Sequence, residues 1–369
     1  MDHEPTQFPT RRAIVGGVLA LGAIPACAAA TRIPGLFAGT YANEGGAGLV
    51  PLVEEGGKWR AAAADAAIRN ASFGVSDRGR RIRYLLDEQR HGMLGVYDAS
   101  MRRLESVATM GADPCHAALS ASGKMLAVAN YSSGNVALWA LDPATGRLRG
   151  PAQIVAHEGS GPNKERQSEP HAHWVGFTPD GAILHAVDLG ADTVFAHRID
   201  PRTGRLVETS VAYRAAPGAG PRHLARHPRL PIAYLVTELA NTITILHAAQ
   251  DGTFAQRAEV STLPVGFDGP SAAAHIALNA AGTRLYVSNR GHDSIAVFAI
   301  GRDGGLQLLQ HVGCGGRWPR HFHLLDRHGE MLVANQHSGG VGRLRLRPDG
   351  RLHEPANGFS VPGIVFIGT

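Results

Sequence analysis

The amino-acid sequence predicts an all-β fold, a seven-bladed β-propeller with four antiparallel strands in each blade. The first indication is the glycine and proline content, because the 369 residues include 46 glycines and 22 prolines. Together these make up about 18% of the chain, against roughly 12% in average usage. A helical bundle tolerates this poorly, since each glycine or proline inside a helix costs about 1–3 kcal/mol. Short strands joined by turns accommodate it well.

A repeated unit is the second indication. Each copy contains an apolar strand, a turn with glycine, and a second apolar strand that ends near a polar residue. The spacing between these polar residues averages about 51 residues, which is typical of propeller blades. Further turn sequences such as Asp-Pro-x-Thr-Gly then lead into more strands and suit tight antiparallel connections. The five clearest copies end at Asn130, Asp188, Glu238, Asn289 and Asn335.

The two ends of the repeat region predict how the ring closes. A weaker sixth copy spans residues 70–88, which leaves residues 35–41 and 361–368 unassigned. We expect these two segments to share a seventh blade, because a blade built from both ends removes the open sheet edge. An open solenoid of the same repeats is the structural alternative.

The first 30 residues have the layout of a signal peptide. The pair Arg11–Arg12 precedes an uncharged stretch from residue 13 to residue 30, which ends in small residues. The paired arginines indicate the twin-arginine export route. We therefore predict a signal peptide at 1–30, a propeller domain at 31–369 and a periplasmic location. The alternatives are an uncleaved membrane or lipid anchor, or a misassigned start site with a cytoplasmic protein.

Charge and cysteine content restrict the partners. The formal charge is only +5 and no run of Lys and Arg reaches five residues, so no nucleic-acid partner and no stable membrane association after signal cleavage are expected. Cys115 and Cys314 lie far apart in the sequence and are predicted to be buried free thiols rather than a disulfide. We expect a monomer, since such a ring needs no partner to fold.

The repeats predict one functional site, at a mouth of the central channel. In a propeller the first strand of each blade lines the channel, and several of these strands begin with a Pro-x-His or Pro-Arg-His sequence. His116 and His275 are expected to pack, whereas three arginines around one mouth favour an anion receptor. The residues expected to converge are His116, His171, His173, Arg222, His223, His275, Arg290, Arg320 and His321, together with Glu88, Asp188, Glu238, Asn130, Asn289, Asn335 and Gln336.

The sequence lacks the motifs of several other classes of enzyme. The chain has no Gly-x-Ser-x-Gly nucleophile elbow, no Walker-type loop and no Cys-x-x-Cys pair. His171 and His173 lie on one face of a predicted strand and could ligate a metal, but a zinc site also requires further ligands. The sequence predicts neither a metal nor a cofactor.

Motifs along nearly the whole mature chain resemble those of the lactonase family of seven-bladed propellers. This family includes propeller-type 6-phosphogluconolactonases and carboxy-muconate lactonising enzymes. Two segments depart from its pattern, residues 158–166 and the sequence around Trp318. The motifs that carry the resemblance are Gly39-Thr-Tyr41, Asn130-Tyr131, Pro170-His-Ala-His173, Gly220-Pro-Arg-His223, Ser288-Asn-Arg-Gly291 and Ala334-Asn-Gln336.

The resemblance implies hydrolysis of a sugar lactone by water activated at the channel mouth. It implies four catalytic residues, namely His173, Glu238, Arg222 and Arg290. In the expected mechanism the arginines stabilise the oxyanion, and Glu238 or His173 takes a proton from water. The residues expected to bind the substrate are His171, His223, Arg320, Gln336 and Asn130.

Two other functions stay open. One is a non-catalytic propeller that binds a ligand or partner, and the other is a lactonising lyase or isomerase of the muconate type. The leader also conflicts with 6-phosphogluconolactone as substrate, because that lactone is a cytosolic metabolite. Two expectations for an exported member of the family therefore stay open: it hydrolyses an unphosphorylated sugar lactone, or it shares the family's fold without the activity.

Overall fold

The predicted seven-bladed β-propeller is confirmed. The computed structural model describes Met1, residues 35–65 and residues 68–369. The strands form seven antiparallel sheets of four strands each, all within the compact unit Pro34–Thr369. The predicted signal peptide lies outside the described residues, apart from Met1. In the described part of the chain, no helix has the length and apolar character needed to cross a membrane.

The first part of the chain forms three strands of blade 7 and all of blades 1 to 3, and the strands of blades 1 to 3 follow the chain order. Blade 7 begins with β1 (Phe37–Thr40), β2 (Leu49–Glu55) and β3 (Lys58–Ala61). Blade 1 contains β4 (Gly74–Asp77), β5 (Ile82–Asp87), β6 (Met93–Tyr97) and β7 (Arg103–Ala108). Blade 2 contains β8 (Pro114–Leu119), β9 (Met125–Asn130), β10 (Asn135–Leu141) and β11 (Leu148–Ala156). Blade 3 contains β12 (Ala172–Phe177), β13 (Ile183–Asp188), β14 (Thr193–Ile199) and β15 (Leu206–Arg214).

The remaining blades repeat this pattern. Blade 4 contains β16 (Pro221–Arg226), β17 (Ile232–Thr237), β18 (Thr242–Ala248) and β19 (Phe254–Ser261). Blade 5 contains β20 (Ala272–Leu278), β21 (Arg284–Arg290), β22 (Ser294–Ile300) and β23 (Leu306–Gly313). Blade 6 contains β24 (Pro319–Leu325), β25 (Glu330–Asn335), β26 (Gly340–Arg345) and β27 (Ala356–Ser360). The short 3-10 helices of the described residues are Ala42–Glu44, Asp326–His328 and Gln336–Ser338.

The last strand of the chain closes the ring. Strand β28 (Ile364–Gly368) pairs antiparallel with β1, so blade 7 has the order β28, β1, β2, β3. Phe366 is buried and packs against Phe37 of its own blade and against Phe73 at the start of blade 1. The Trp59 indole also donates a hydrogen bond of 2.8 Å to Glu330 of blade 6. Residues from both chain ends therefore join blade 7 to its neighbours, as the sequence predicts.

The innermost strands of the blades share a break in register near their first residues. Inner strands of neighbouring blades contact one another, for example β12 with β8 and β16. In four of them one residue is skipped in the pairing with the second strand, and such a bulge re-aims the extra side chain. The skipped residues are Cys115, His173, Arg222 and Arg320. The bulges thus put candidate site residues at equivalent places around the axis.

An aromatic layer follows directly after these bulges. His116, His223 and His321 are the next residues on their strands, and each is buried. His275 joins them, with its ring centroid 4.1 Å from that of His321. The ring centroid of Phe73 lies 4.3 Å from that of His116 and 6.1 Å from that of His321, so Phe73 connects these two histidines. His116 and His275 thus pack as predicted, through tilted and edge-to-face ring contacts on the inner strands.

Burial keeps these imidazoles neutral. It lowers the pKa of His116, His223 and His321 well below the ordinary value, and the nearby charge of Arg222 acts in the same direction. The pKa of His275 falls to about 3 for the same reasons. The unfolded chain would expose all four rings at their ordinary pKa of roughly 6.5. Protonation therefore favours the unfolded state over the folded state.

The free energy of unfolding should fall steeply as the pH drops from about 7 to about 5. Each of these imidazoles contributes a loss of up to about 1.4 kcal/mol per pH unit below its unfolded-state pKa, because only the unfolded chain takes up the proton. Urea denaturation at a series of pH values measures the slope. His321→Phe should make the slope shallower, whereas the exposed His353→Gln should leave it unchanged. An equal slope in all three proteins would contradict the argument.

Candidate active site

Glu238 is held by three arginines at one end of the channel. It follows β17, and its Oε2 accepts a hydrogen bond of 3.0 Å from Arg222 Nε and forms an ion pair with Arg290 Nη2 at 2.7 Å. Its Oε1 accepts a bond of 2.7 Å from Arg166 Nη2. Three of the four residues predicted to be catalytic therefore lie in one cluster, which we call the Glu238 centre.

The Glu238 centre keeps its carboxylate ionised. Burial alone would raise the pKa of Glu238, but the charges of Arg290, Arg222 and Arg166 outweigh it and hold this pKa well below the ordinary value. Arg222 and Arg290 are themselves almost fully buried, with side-chain exposures of 3% and 6%. The carboxylate thus offsets the repulsion between guanidiniums that are packed together away from water.

Backbone carbonyls fix the two buried guanidiniums. Arg222 Nη1 donates to the Ala274 carbonyl at 2.7 Å, and Arg290 Nε donates to the Ala272 carbonyl at 3.1 Å. The Trp318 ring covers Arg290, with the guanidinium carbon 5.5 Å from the ring centroid. The two arginines are therefore preorganised donors, the kind that stabilises developing negative charge most effectively.

Arg166 reaches the site from the loop between blades 2 and 3. Its side chain is 38% exposed, and its Nη2 also donates to the Tyr131 hydroxyl at 3.2 Å. The loop is anchored by Gln167, which is fully buried and donates to the Leu189 carbonyl at 2.9 Å. Since this loop departs from the family pattern, Arg166 is a part of the site that the motif comparison could not assign.

His171 and His173 flank Tyr131 in different ways. The His171 ring stacks on the Tyr131 ring at 4.5 Å, and its Nδ1 lies 3.1 Å from the Tyr131 carbonyl oxygen, which must accept its proton. His173 is buried, with Nδ1 3.7 Å from Cys115 Sγ. Burial and the Arg222 charge lower the pKa of His173 well below the ordinary value. His173 is therefore neutral near pH 7.

A second carboxyl group lies in a centre made by Tyr41, Glu88 and Arg320. The Tyr41 hydroxyl donates to Glu88 Oε2 at 2.8 Å and accepts a bond of 2.9 Å from Arg320 Nη2. Arg320 Nη2 lies 3.9 Å from Glu88 Oε1. Burial raises the pKa of Glu88, and the opposing effects of Arg320 and Tyr41 do not cancel it. We call this cluster the Glu88 centre.

The two centres face the same channel mouth. The charge of Arg320 acts on Arg222, Arg290 and His173, which places it within electrostatic reach of the Glu238 centre. Cys115 is within electrostatic reach of both centres, because Glu88 and Arg222 both act on the pKa of its thiol. Four guanidiniums and two carboxyl groups leave the mouth with an excess of positive charge. An anionic or carbonyl-bearing ligand is therefore favoured there.

Three residues predicted to bind substrate have other contacts. Asn130 Nδ2 donates to the Thr109 carbonyl at 3.2 Å and to Asn135 at 2.7 Å. The equivalent Asn289 and Asn335 bind carbonyls in the same manner, so these amides hold the chain where it enters each blade. Gln336 Nε2 donates to Glu44 at 2.6 Å, and His223 Nε2 accepts from Arg222 at 3.2 Å. His223 thus supports Arg222 within the aromatic layer.

Three residues of the mouth were absent from the predicted site, namely Arg166, Tyr131 and Tyr41. Glu88 was expected at the mouth, but the sequence gave it no catalytic or binding role. Tyr41 and Tyr131 belong to motifs shared with the lactonase family. Arg166 had no such signal beyond its place in the divergent loop.

The structure also tests the predictions about the cysteines and shows how the possible metal ligands are arranged. Cys115 and Cys314 are free and buried, as predicted. Among the residues that the structure describes, no three or more His, Cys, Asp or Glu side chains are arranged to hold a metal ion.

Known proteins resemble this chain over almost all of its described length. Residues 35–368 match the family described as lactonase, 7-bladed beta-propeller. The 6-phosphogluconolactonase of Bacillus subtilis is 37% identical over 249 residues, which cover 64% of this chain and 70% of that protein. The structure of the periplasmic gluconolactonase of Pseudomonas aeruginosa has a TM-score of 0.82 at 28% identity, covering 90% of this chain and 98% of that one. A Lactobacillus plantarum protein gives a TM-score of 0.83 at 29% identity over the same shares.

The chain therefore belongs to the lactonase family of seven-bladed β-propellers. Membership confirms the resemblance carried by the sequence motifs. It also implies a small-molecule lactone as the substrate.

Glu238→Gln should lower the free energy of unfolding by about 3–5 kcal/mol, because it leaves buried guanidiniums without their counter-charge. Chemical denaturation with a fluorescence or circular dichroism signal measures the loss. Glu208→Gln is the matched control, since Glu208 pairs with Arg198 at 2.9 Å but both side chains are more than half exposed. That control should cost less than about 1 kcal/mol. Equal losses in both variants would show that the Glu238 centre does not stabilise the fold.

Proposed function

We propose that the chain hydrolyses a sugar lactone at the channel mouth and releases the corresponding hydroxy acid. The observation that carries this proposal is the Glu238 centre, in which Arg222 and Arg290 are buried, preorganised donors beside a second carboxyl group. Family membership supports the same reaction class, because the named relatives include a 6-phosphogluconolactonase and a gluconolactonase.

The arginines supply the electrostatic part of the reaction. When water attacks the lactone carbonyl, negative charge develops on the carbonyl oxygen, and Arg222 and Arg290 stabilise it. One preorganised donor of this kind contributes about 3–4 kcal/mol to the transition state. The attacking water must also lose a proton, which a neutral imidazole or a carboxylate at the same mouth accepts. No covalent intermediate is needed.

The excess of positive charge favours a lactone that carries a carboxylate or phosphate. Arg166 and Arg320 are more exposed than the pair of buried arginines and suit such a group, because a guanidinium binds these anions in bidentate fashion. Plain aldonolactones belong in the same test, since an exported enzyme meets sugar lactones without phosphate.

Purified mature protein should release acid from at least one lactone in a panel of phosphorylated and plain aldonolactones, followed with a pH indicator. Arg166→Ala should raise KM for an anionic lactone by about tenfold, because it removes one charge-assisted contact. Arg198→Ala, an exposed arginine on the outside of blade 3, is the control and should leave KM unchanged. No turnover of any lactone would overturn the hydrolase and favour a non-catalytic binding propeller.

We further propose that the enzyme acts in the periplasm after twin-arginine export. The support is the Arg11–Arg12 pair with its uncharged stretch, together with the periplasmic name of the Pseudomonas aeruginosa relative. In a Gram-negative host the full chain should yield a shortened protein in the periplasmic fraction. The double variant R11K and R12K should instead accumulate unprocessed in the cytoplasm. Equal distribution of both proteins would contradict this location.

A further inference from the structure

The channel mouth holds two carboxyl groups in opposite surroundings. Glu238 is surrounded by guanidiniums, whereas Glu88 is bound mainly by a phenol. Two nearby titratable groups in different environments usually have different roles in a reaction, one as proton acceptor and the other as a permanently charged group. The geometry of each group shows which role it suits.

The acceptor capacity of Glu238 is largely used. An ionised carboxylate offers about four lone-pair positions. The Glu238 carboxylate accepts hydrogen bonds from Arg166 and Arg222 and forms an ion pair with Arg290 at 2.7 Å. Protonating this carboxylate would weaken its bonds to Arg166, Arg222 and Arg290 at once.

The acceptor capacity of Glu88 is much less used. Its Oε2 accepts a hydrogen bond from the Tyr41 hydroxyl, and Oε1 lies 3.9 Å from Arg320 Nη2, beyond hydrogen-bond distance. A hydrogen bond from the Ser72 side chain also acts on this carboxyl group, so its donors are neutral hydroxyl groups. The side chain of Glu88 is 16% exposed, against 4% for Glu238. Glu88 therefore has fewer charged donors than Glu238 and more access for water.

His173 is a poorer acceptor than Glu88 for an electrostatic reason. A proton on His173 would create a new positive charge beside Arg222 in a buried site. A proton on Glu88 instead removes a buried negative charge, which the surroundings favour.

We propose that Glu88 takes the proton from the attacking water, that Tyr41 positions its carboxylate, and that Glu238 serves to hold the arginines. This assignment rests on the proposed lactone hydrolysis. It separates proton transfer in the Glu88 centre from charge stabilisation in the Glu238 centre.

The proposed step balances in atoms and charge. The water oxygen bonds to the lactone carbonyl carbon while its proton passes to Glu88 Oε1, and the carbonyl oxygen becomes an oxyanion held by Arg222 and Arg290. The oxyanion then re-forms the carbonyl as the bond between the carbonyl carbon and the ring oxygen breaks. The ring oxygen takes the proton back from Glu88. The products are the hydroxy acid and the original carboxylate.

The charged groups around Glu88 come from several blades. Tyr41 and Arg320 bind it, and Asp113 and Cys115 face it from the start of blade 2. Arg320 and the Tyr41 hydrogen bond lower the pKa of Glu88, whereas burial and Asp113 raise it, with a net rise. A base whose pKa lies closer to the working pH is the more effective one.

Glu88→Gln tests the assignment. It should lower kcat by at least about 100-fold and abolish the fall of kcat/KM at acid pH, because the titrating base is gone. Binding of the hydroxy-acid product, measured by calorimetry, should change less than about threefold, since Arg222 and Arg290 are untouched. Glu330→Gln is the matched control. Glu330 is a largely buried, arginine-bound glutamate at the first residue of β25, at the other end of this strand from Asn335. This variant should keep wild-type kcat.

Tyr41→Phe tests the positioning role and keeps the aromatic ring that lies against Arg320. Loss of the hydrogen bond should raise the pKa of Glu88 and shift the acid limb of the pH profile to higher pH, with product binding retained. If Tyr41 only stabilised the fold, Tyr41→Phe would leave the acid limb of the pH profile unchanged.

The outcomes separate the assignment from the proposed function. If the wild-type chain hydrolyses lactones and Glu88→Gln keeps both its kcat and its acid limb, the assignment to Glu88 is wrong while the hydrolase stands. If the wild-type chain hydrolyses no lactone of the panel, the hydrolase fails and the assignment fails with it.

Discussion

Closure of the ring is the constraint on which the rest of this structure depends. The pairing of β28 with β1 brings the two ends of the chain into one blade and leaves no open edge between blades 6 and 1. Because the ring is closed, the inner strands face one axis, and side chains from distant parts of the sequence meet there. The Glu88 centre shows this most directly, since Tyr41 and Arg320 are 279 positions apart and share a hydrogen bond.

Breaks in the inner-strand register convert this closed ring into a site. The skipped residues include His173, Arg222 and Arg320, and the residues that follow form a layer of neutral rings on the same strands. The rings of the aromatic layer are uncharged, whereas the neighbouring bulges at Arg222 and Arg320 carry charge. Electrostatic interactions between the guanidiniums and the carboxyl groups are therefore strong, because they act in a region of low dielectric constant.

Within that region the two carboxyl groups have different electrostatic environments. Three guanidiniums stabilise the ionised form of Glu238, while burial with fewer charged donors destabilises the ionised form of Glu88. The difference arises from where each glutamate lies in the ring, between blades 4 and 5 or between blades 6 and 1. One channel mouth can thus hold both a permanently ionised carboxylate that fixes the arginines and a second carboxyl group that accepts a proton. Hydrolysis of a strained ester requires both functions.

The sequence alone determined the blade number, the closure by both chain ends and the convergence of Arg222, Glu238 and Arg290, because repeats and turn motifs are local signals. Substrate binding by Asn130 and Gln336 stays a prediction, and in the structure both side chains donate hydrogen bonds to protein groups. The partners of Glu238 and Glu88 were decided only by the tertiary structure. Arg166 enters from a divergent loop and Tyr41 from the opposite end of the chain, and the protonation preference of a buried carboxyl group depends on such neighbours rather than on its own sequence context.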